Sequence, residues 1–177
     1  MFDRSIMEKR PIIITGFMCA GKTTVARALG GILGCQATDL DDEITRLEGS
    51  SPAKLIAENG EAAFREIETR VLKEVFKSKA RVIALGGGAW IVPDNRSLID
   101  HFQGISVWLD LPFDVCWKRI IASGHRPLAV DRQQAATLFE LRRSLYDLAT
   151  IRLAVRANMD AQELARRIVK VLPATAR

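Results

Sequence analysis

Two histidines and three cysteines in 177 residues leave little material for transition-metal chemistry. Cys19, Cys35 and Cys116 are odd in number and lack Cys-x-x-Cys spacing, and His101 and His125 are the only imidazoles beside them. Neither a zinc site nor a disulfide framework is indicated, which suits a reducing, cytoplasmic setting. No apolar run reaches the roughly 18 residues a membrane span requires. Residues 1–10 carry Asp3, Arg4, Glu8 and Lys9 where an export signal needs an apolar stretch, so neither export nor a membrane partner is expected. Internal repeats, low-complexity tracts and interdomain linkers are missing too, and residues 1–177 read as a single domain able to bury its own core. The net charge is only +5, but between Cys116 and Arg156 eight basic residues face three acidic ones. That stretch suits small anions. It has no aromatic-interleaved basic platform, so nucleic acid is not an expected partner.

What is present is concentrated first in Pro11 to Thr24, Pro-Ile-Ile-Ile-Thr-Gly-Phe-Met-Cys-Ala-Gly-Lys-Thr-Thr. A β-branched run ends in Gly16, four residues intervene, and Gly21-Lys22-Thr23 opens a helical pattern: a P-loop in its required context. Such a loop curls backbone N–H groups around phosphate oxygens, and the helix behind it adds its positive end. Gly16, Cys19, Ala20, Gly21, Lys22, Thr23 and Thr24 are therefore candidate nucleotide contacts. Lys22 is expected on the β- and γ-phosphates, and the Thr23 hydroxyl on Mg²⁺.

Further along, a helix over Thr24–Leu33 closes at Gly34, with Gly30-Gly31 weakening it slightly. A strand over Cys35–Thr38 delivers Asp39-Leu40-Asp41-Asp42. Carboxylates two apart at a strand end can share one side, and strand carboxyl ends are where α/β sheets keep their ligands. Asp41 or Asp42 equally suits a helix N-cap. A short helix starts at Ser51-Pro52, and Glu61–Lys79 is strongly amphipathic, with Phe64, Ile67, Val71 and Val75 on one stripe. Arg65 and Glu68 lie three apart on an adjoining face, a spacing that in a solvated pair contributes ~0.5 kcal/mol or less. A strand over Arg81–Leu85 runs into Gly86-Gly87-Gly88, where backbone can approach a ligand without Cβ interference. Helices over Asp94–Phe102, from Pro112, over Gln133–Ala149 and over Ala161–Val171 alternate with strands over Gly104–Leu109 and Ile151–Val155. In the Gln133–Ala149 helix, Leu138, Leu141, Leu145 and Leu148 are expected inward, with Arg142 and Arg143 available to a site. Alternation throughout predicts a three-layer α/β/α fold around a five-stranded parallel sheet, with the motifs on one edge.

In this order the motifs resemble the shikimate kinase family of P-loop small-molecule kinases, over nearly the whole chain. The P-loop, Asp39-Leu40-Asp41, Gly60-Glu61-Ala62-Ala63-Phe64-Arg65 with Glu68, the triple glycine, Gly124-His125-Arg126-Pro127-Leu128 and Leu141-Arg142-Arg143-Ser144-Leu145-Tyr146 all carry the resemblance. It implies the P-loop kinase fold, a substrate-binding helical segment at about 41–70 and a basic lid at about 123–135. It implies ATP and Mg²⁺ as cofactors, shikimate as the small-molecule partner, and transfer of the γ-phosphate to the 3-hydroxyl by a monomer. Asp39 would join Thr23 on the metal, and Asp41 would orient the acceptor hydroxyl and take its proton. Arg65 and Arg142 would clamp the carboxylate, Glu68 would orient Arg65 or meet a hydroxyl, and Gly87 and Gly88 would line the pocket. Arg126 would close over the transferred phosphoryl group beside Lys22, and Arg119 would neighbour the adenine.

Two departures from the family pattern stand out. Cys19 occupies a P-loop position usually held by glycine, either as an inert small residue or as a thiol activated by the loop's N–H dipoles. Val155-Arg156-Ala157-Asn158-Met159-Asp160 replaces the Asp and Pro usual near the base. A kinase for gluconate or another sugar acid shares the P-loop but does not need both arginines. A GTPase would need the missing Asn-Lys-x-Asp, and a non-catalytic module would not need Lys22, Thr23, Asp39 and Asp41 together.

Overall fold

The computed structural model describes residues 10–123 and 131–176. Five strands, β1 (Ile12–Thr15), β2 (Ala37–Asp39), β3 (Val82–Ala84), β4 (Ile105–Asp110) and β5 (Ile151–Ala154), form one sheet in the order β2-β3-β1-β4-β5, every neighbouring pair parallel. The strands alternate with α1 (Lys22–Leu33), α2 (Leu40–Glu48), α3 (Pro52–Lys77), α4 (Pro93–His101), α5 (Phe113–Ser123), α6 (Arg132–Tyr146) and α7 (Ala161–Val171). The expected α/β fold is therefore what the chain adopts. Its central strands are buried at every position but the last of β4, because helices cover both faces of a parallel sheet. The edge strands β2 and β5 keep partly exposed residues.

From β1 the chain runs out to the β2 edge, returns to β3, then crosses to β4 and β5. β1 is thus the strand at which the winding reverses, the usual place for a ligand crevice. The register sets Asp39 beside Ala84, and Ile14 beside both Ala84 and Val107. The residues after those strand ends, the P-loop, α2's first turn and the triple glycine, therefore emerge at one level.

Several expectations change. In α6 the inward residues are Ala135, Phe139, Arg142 and Tyr146, whereas Leu141 is 67% and Leu148 60% exposed. Leu138 and Leu145 are only partly buried, Leu138 against the core, so the inward face is rotated away from the leucine stripe; Phe139 packs edge-on against Phe17 of the P-loop with ring centres 5.1 Å apart and so fixes the helix's rotation. Arg143 turns outward with that discarded face. The short and long helices expected before and after Gly60 run as α3 across a break, with Gly60 alone at φ 83°, ψ 165°. Gly30, far from weakening α1, is what lets it pack: a Cβ there would lie 2.6 Å from the Cys35 carbonyl.

Candidate active site

The P-loop closes on itself before any ligand is considered. Ala20 N–H donates to the Phe17 carbonyl at 3.2 Å, and Gly16 (φ 144°) and Gly21 (φ 92°) take positive φ at its two ends. Gly16 is also fitted tightly, since a Cβ would stand 3.0 Å from the Leu109 carbonyl. Cys19 has φ 59°, a left-handed conformation that costs a side-chain-bearing residue about 1–2 kcal/mol and that glycine adopts freely. That conformation is the physical reason a glycine is usual there. Ala20 is buried against the core, Thr24 is exposed, and the Arg119 guanidinium lies over the loop, donating to the Cys19 carbonyl at 3.2 Å. Lys22 Nζ folds back to the Phe17 carbonyl at 3.0 Å. Burial pulls its pKa below the ordinary lysine value, although Asp41 and Asp39 oppose that shift.

Asp39 works with both oxygens. Oδ1 accepts from the N–H groups of Asp41 (2.9 Å) and Asp42 (3.4 Å), so Asp39, rather than Asp41 or Asp42, is the N-cap of α2. Oδ2 accepts from the Thr23 hydroxyl. A hydroxyl and a carboxylate oxygen side by side form the hard, all-oxygen pair that Mg²⁺ takes, with water filling its remaining positions. Asp41 sits on the first turn of α2, not on the strand, and still reaches the same edge because the cap turns the chain there. Burial, then repulsion from Asp39, raises its pKa above the ordinary carboxylate value, with Lys22 pulling the other way. Its carboxylate lies against the Gly86 backbone, where a Cβ would come within 2.6 Å of Oδ1. Lys22, Thr23, Asp39, Asp41, Gly86 and Gly87 line a common cavity of about 190 Å³.

Beyond that cavity the triple glycine meets two arginines. The Arg65 guanidinium occupies the space a side chain on Gly88 would fill. It is held by Glu68 at 2.8 Å and Glu61 at 2.9 Å. Glu68 is only 1% exposed, so the pair is not the solvated one that spacing alone suggests. Burial raises the Glu68 pKa, and Arg65 works against that shift. From α6, Arg142 is 5% exposed and donates to the Gly87 carbonyl at 3.2 Å. The same carbonyl accepts the Tyr146 hydroxyl at 2.7 Å, a contact to which the sequence reading gives no role. Trp90, in the 3₁₀ turn Ala89–Ile91, donates to the Leu145 carbonyl at 2.8 Å. Apart from Arg143, which turns outward, every proposed site residue but one is thus brought to a single edge of the sheet. The exception, Arg126, lies with most of the expected lid outside the described residues.

The comparisons with known proteins agree in one direction. The shikimate kinase family model matches residues 18–173. The shikimate kinase of Synechococcus elongatus is 38% identical over 165 residues, covering 92% of this chain and 86% of that protein. That of Rhizobium leguminosarum bv. trifolii is 35% identical over 173 residues, covering 94% and 88%. In three dimensions, a shikimate kinase from Acinetobacter baumannii in complex with shikimate superposes with TM-score 0.84 at 34% identity, covering 93% of both chains. A gluconokinase from Sinorhizobium meliloti, at TM-score 0.63 and 15% identity, shares the fold alone. On the breadth of the family match and the identity of these relatives, the chain belongs to the shikimate kinase family.

Proposed function

We propose that this protein transfers the γ-phosphate of ATP to the 3-hydroxyl of shikimate, giving shikimate 3-phosphate and ADP. The observation that carries this reading is the meeting of two arginines, Arg142 buried and Arg65 partly so, with the half-buried Asp41 carboxylate around three glycines. The Arg65 and Arg142 guanidiniums stand at Gly88 and Gly87, and the Asp41 carboxylate stands at Gly86. Two guanidinium forks suit a carboxylate-bearing acceptor, and a carboxylate beside the phosphate loop suits a hydroxyl that must lose a proton.

The chain's own groups then divide the work. The P-loop N–H groups, the α1 N-terminus and Lys22 hold the phosphates; the Lys22 ammonium gives one donor to the Phe17 carbonyl and has two more for phosphate oxygens. Thr23 and Asp39 would hold Mg²⁺, which when bound draws charge from the β- and γ-phosphoryl oxygens. Arg65 and Arg142 hold the acceptor's carboxylate and present its hydroxyl to Asp41. As the hydroxyl oxygen bonds to the γ-phosphorus and the bond to the β-phosphate oxygen breaks, the hydroxyl proton passes to Asp41. Burial favours that step, because a carboxylate with a raised pKa is a stronger base. Arg126 would add a charge over the transferring group from the lid. Rotation about the acceptor's ring is prevented by the two-arginine grip, which makes the transfer effectively unimolecular.

A coupled assay for ADP across a panel of hydroxy acids tests the reading. Turnover with shikimate and none with gluconate is expected; turnover with gluconate and none with shikimate refutes it.

A further inference from the structure

Tyr146 stands behind the acceptor pocket rather than in it. It follows Arg142 by four residues on α6, so the two side chains leave the same face one turn apart. Both end on the Gly87 carbonyl, the Tyr146 hydroxyl at 2.7 Å and Arg142 Nη1 at 3.2 Å. The ring is 1% exposed and stacks on Trp108 with centres 6.1 Å apart, while the Arg152 guanidinium lies 4.8 Å over Trp108. Packing therefore places the ring, and the hydroxyl is free to serve another purpose. Burial pushes its pKa up to about 12, so it remains a proton donor throughout the working range.

Arg142 needs such a purpose to be served. Its Nε is buried and without a partner among the described residues, in contrast to Arg65, which two glutamates hold. The aim of the Arg142 fork thus depends on the Gly87 carbonyl and on the Tyr146 hydroxyl beside it. Trp90, gripping the Leu145 carbonyl from the far end of the same turn, keeps α6 and the triple glycine in register. We propose that Tyr146 is a positioning residue for the acceptor: its hydroxyl pins the Gly87 carbonyl and so fixes the direction in which Arg142 meets the substrate's carboxylate. Without the hydroxyl, the Gly87 peptide turns toward its one remaining donor and Arg142 follows, spoiling a two-bond contact that depends on angle. The inference rests on the shikimate reading of the site.

Tyr146→Phe tests it, since that change deletes the hydroxyl and keeps the packed ring. Steady-state kinetics with each substrate varied should show the KM for shikimate rising on the order of 5–10-fold, as one hydrogen bond to a charged binding site implies, with the KM for ATP within about 2-fold. The same change should have little effect in an Arg142→Lys background, or with shikimate methyl ester as the acceptor, because the two-bond contact between the Arg142 fork and the carboxylate is already lost in both. Thermal melting of each variant checks that the fold is kept. An unchanged KM for shikimate, an equal rise for ATP, or additivity with Arg142→Lys overturns the positioning role. Failure of the unaltered protein to turn over shikimate overturns the underlying reading instead.

Discussion

Gly86→Ala isolates the geometry of Asp41, the proposed base, from every other property of the site. Gly86 lies outside the positive-φ region, so alanine can adopt its backbone without strain. The single added methyl would sit 2.6 Å from Asp41 Oδ1 and 3.4 Å from Oδ2. A carbon and an oxygen in ordinary contact stay about 3.3 Å or more apart, so the near oxygen must retreat by roughly 0.7 Å. That is a large fraction of the 1 Å misplacement that can cost about 10²-fold in rate. The carboxylate ends a short side chain on a helix whose own N-cap is Asp39, so it yields by rotation and leaves the fold intact. Removing a glycine also narrows the unfolded ensemble, an effect of about 0.4–1 kcal/mol in favour of the folded state. The variant should therefore melt no lower than the parent by more than about 2 °C, bind ATP within about 2-fold, and lose on the order of 30–100-fold in kcat. Steady-state kinetics, nucleotide titration and calorimetry on one preparation read all three. Unaltered kcat in a folded Gly86→Ala protein, or parallel losses of kcat and ATP affinity, would refute the placement of Asp41 as the base.

Asp41→Asn should lower kcat by about 10²–10⁴-fold while ATP binding stays near that of the parent. Stability should move the other way. A carboxyl whose pKa is raised on folding favours the folded state less once it ionises. The penalty is absent below the ordinary value of 3.8, develops as pH rises toward the raised folded value, and is full above it. The asparagine variant should thus melt higher than the parent at pH 8, with the difference closing toward pH 3.5. A lower melting temperature at pH 8 contradicts the desolvated Asp41. Arg65→Met removes the partner of a carboxylate that is 1% exposed and should cost about 3 kcal/mol at pH 8, and less as the pH falls, because burial raises the Glu68 pKa and lets it take up a proton more readily. Adding Glu68→Gln should restore most of that stability without restoring acceptor affinity; recovery of both would mean that Arg65 only balances Glu68.

How much of this was legible in the sequence depends on whether a feature is local. The P-loop, the alternation of strand and helix and the parallel sheet are written in short-range patterns, and each appears where its residues predict it. The α6 face is hard to read from sequence because the four leucines form a more apolar stripe than Ala135, Phe139, Arg142 and Tyr146, and only the contact of Phe139 with Phe17 across the fold decides the rotation. The Arg65 and Glu68 pair was visible as a spacing, but its burial follows from the close approach of Gly88, which no spacing reports. The expected N-cap at Asp41 or Asp42 falls two or three residues late because the helix begins at Leu40, directly after the strand, which leaves Asp39 as the cap. Tyr146 lies in a motif that carries the resemblance, but its contact is not legible there, since a hydroxyl bonded to a carbonyl 59 residues away has no local pattern.

Site-specific transfer to the 3-hydroxyl is the claim on which the rest depends, and the product itself tests it most directly. After turnover with ATP, Mg²⁺ and shikimate, a proton–phosphorus correlation spectrum should show one new phosphomonoester coupled to the ring proton on carbon 3. Coupling to the proton on carbon 4 or 5 would mean that Asp41 and the two arginines hold the acceptor in another orientation, and the absence of any phosphomonoester would mean that they hold another acceptor.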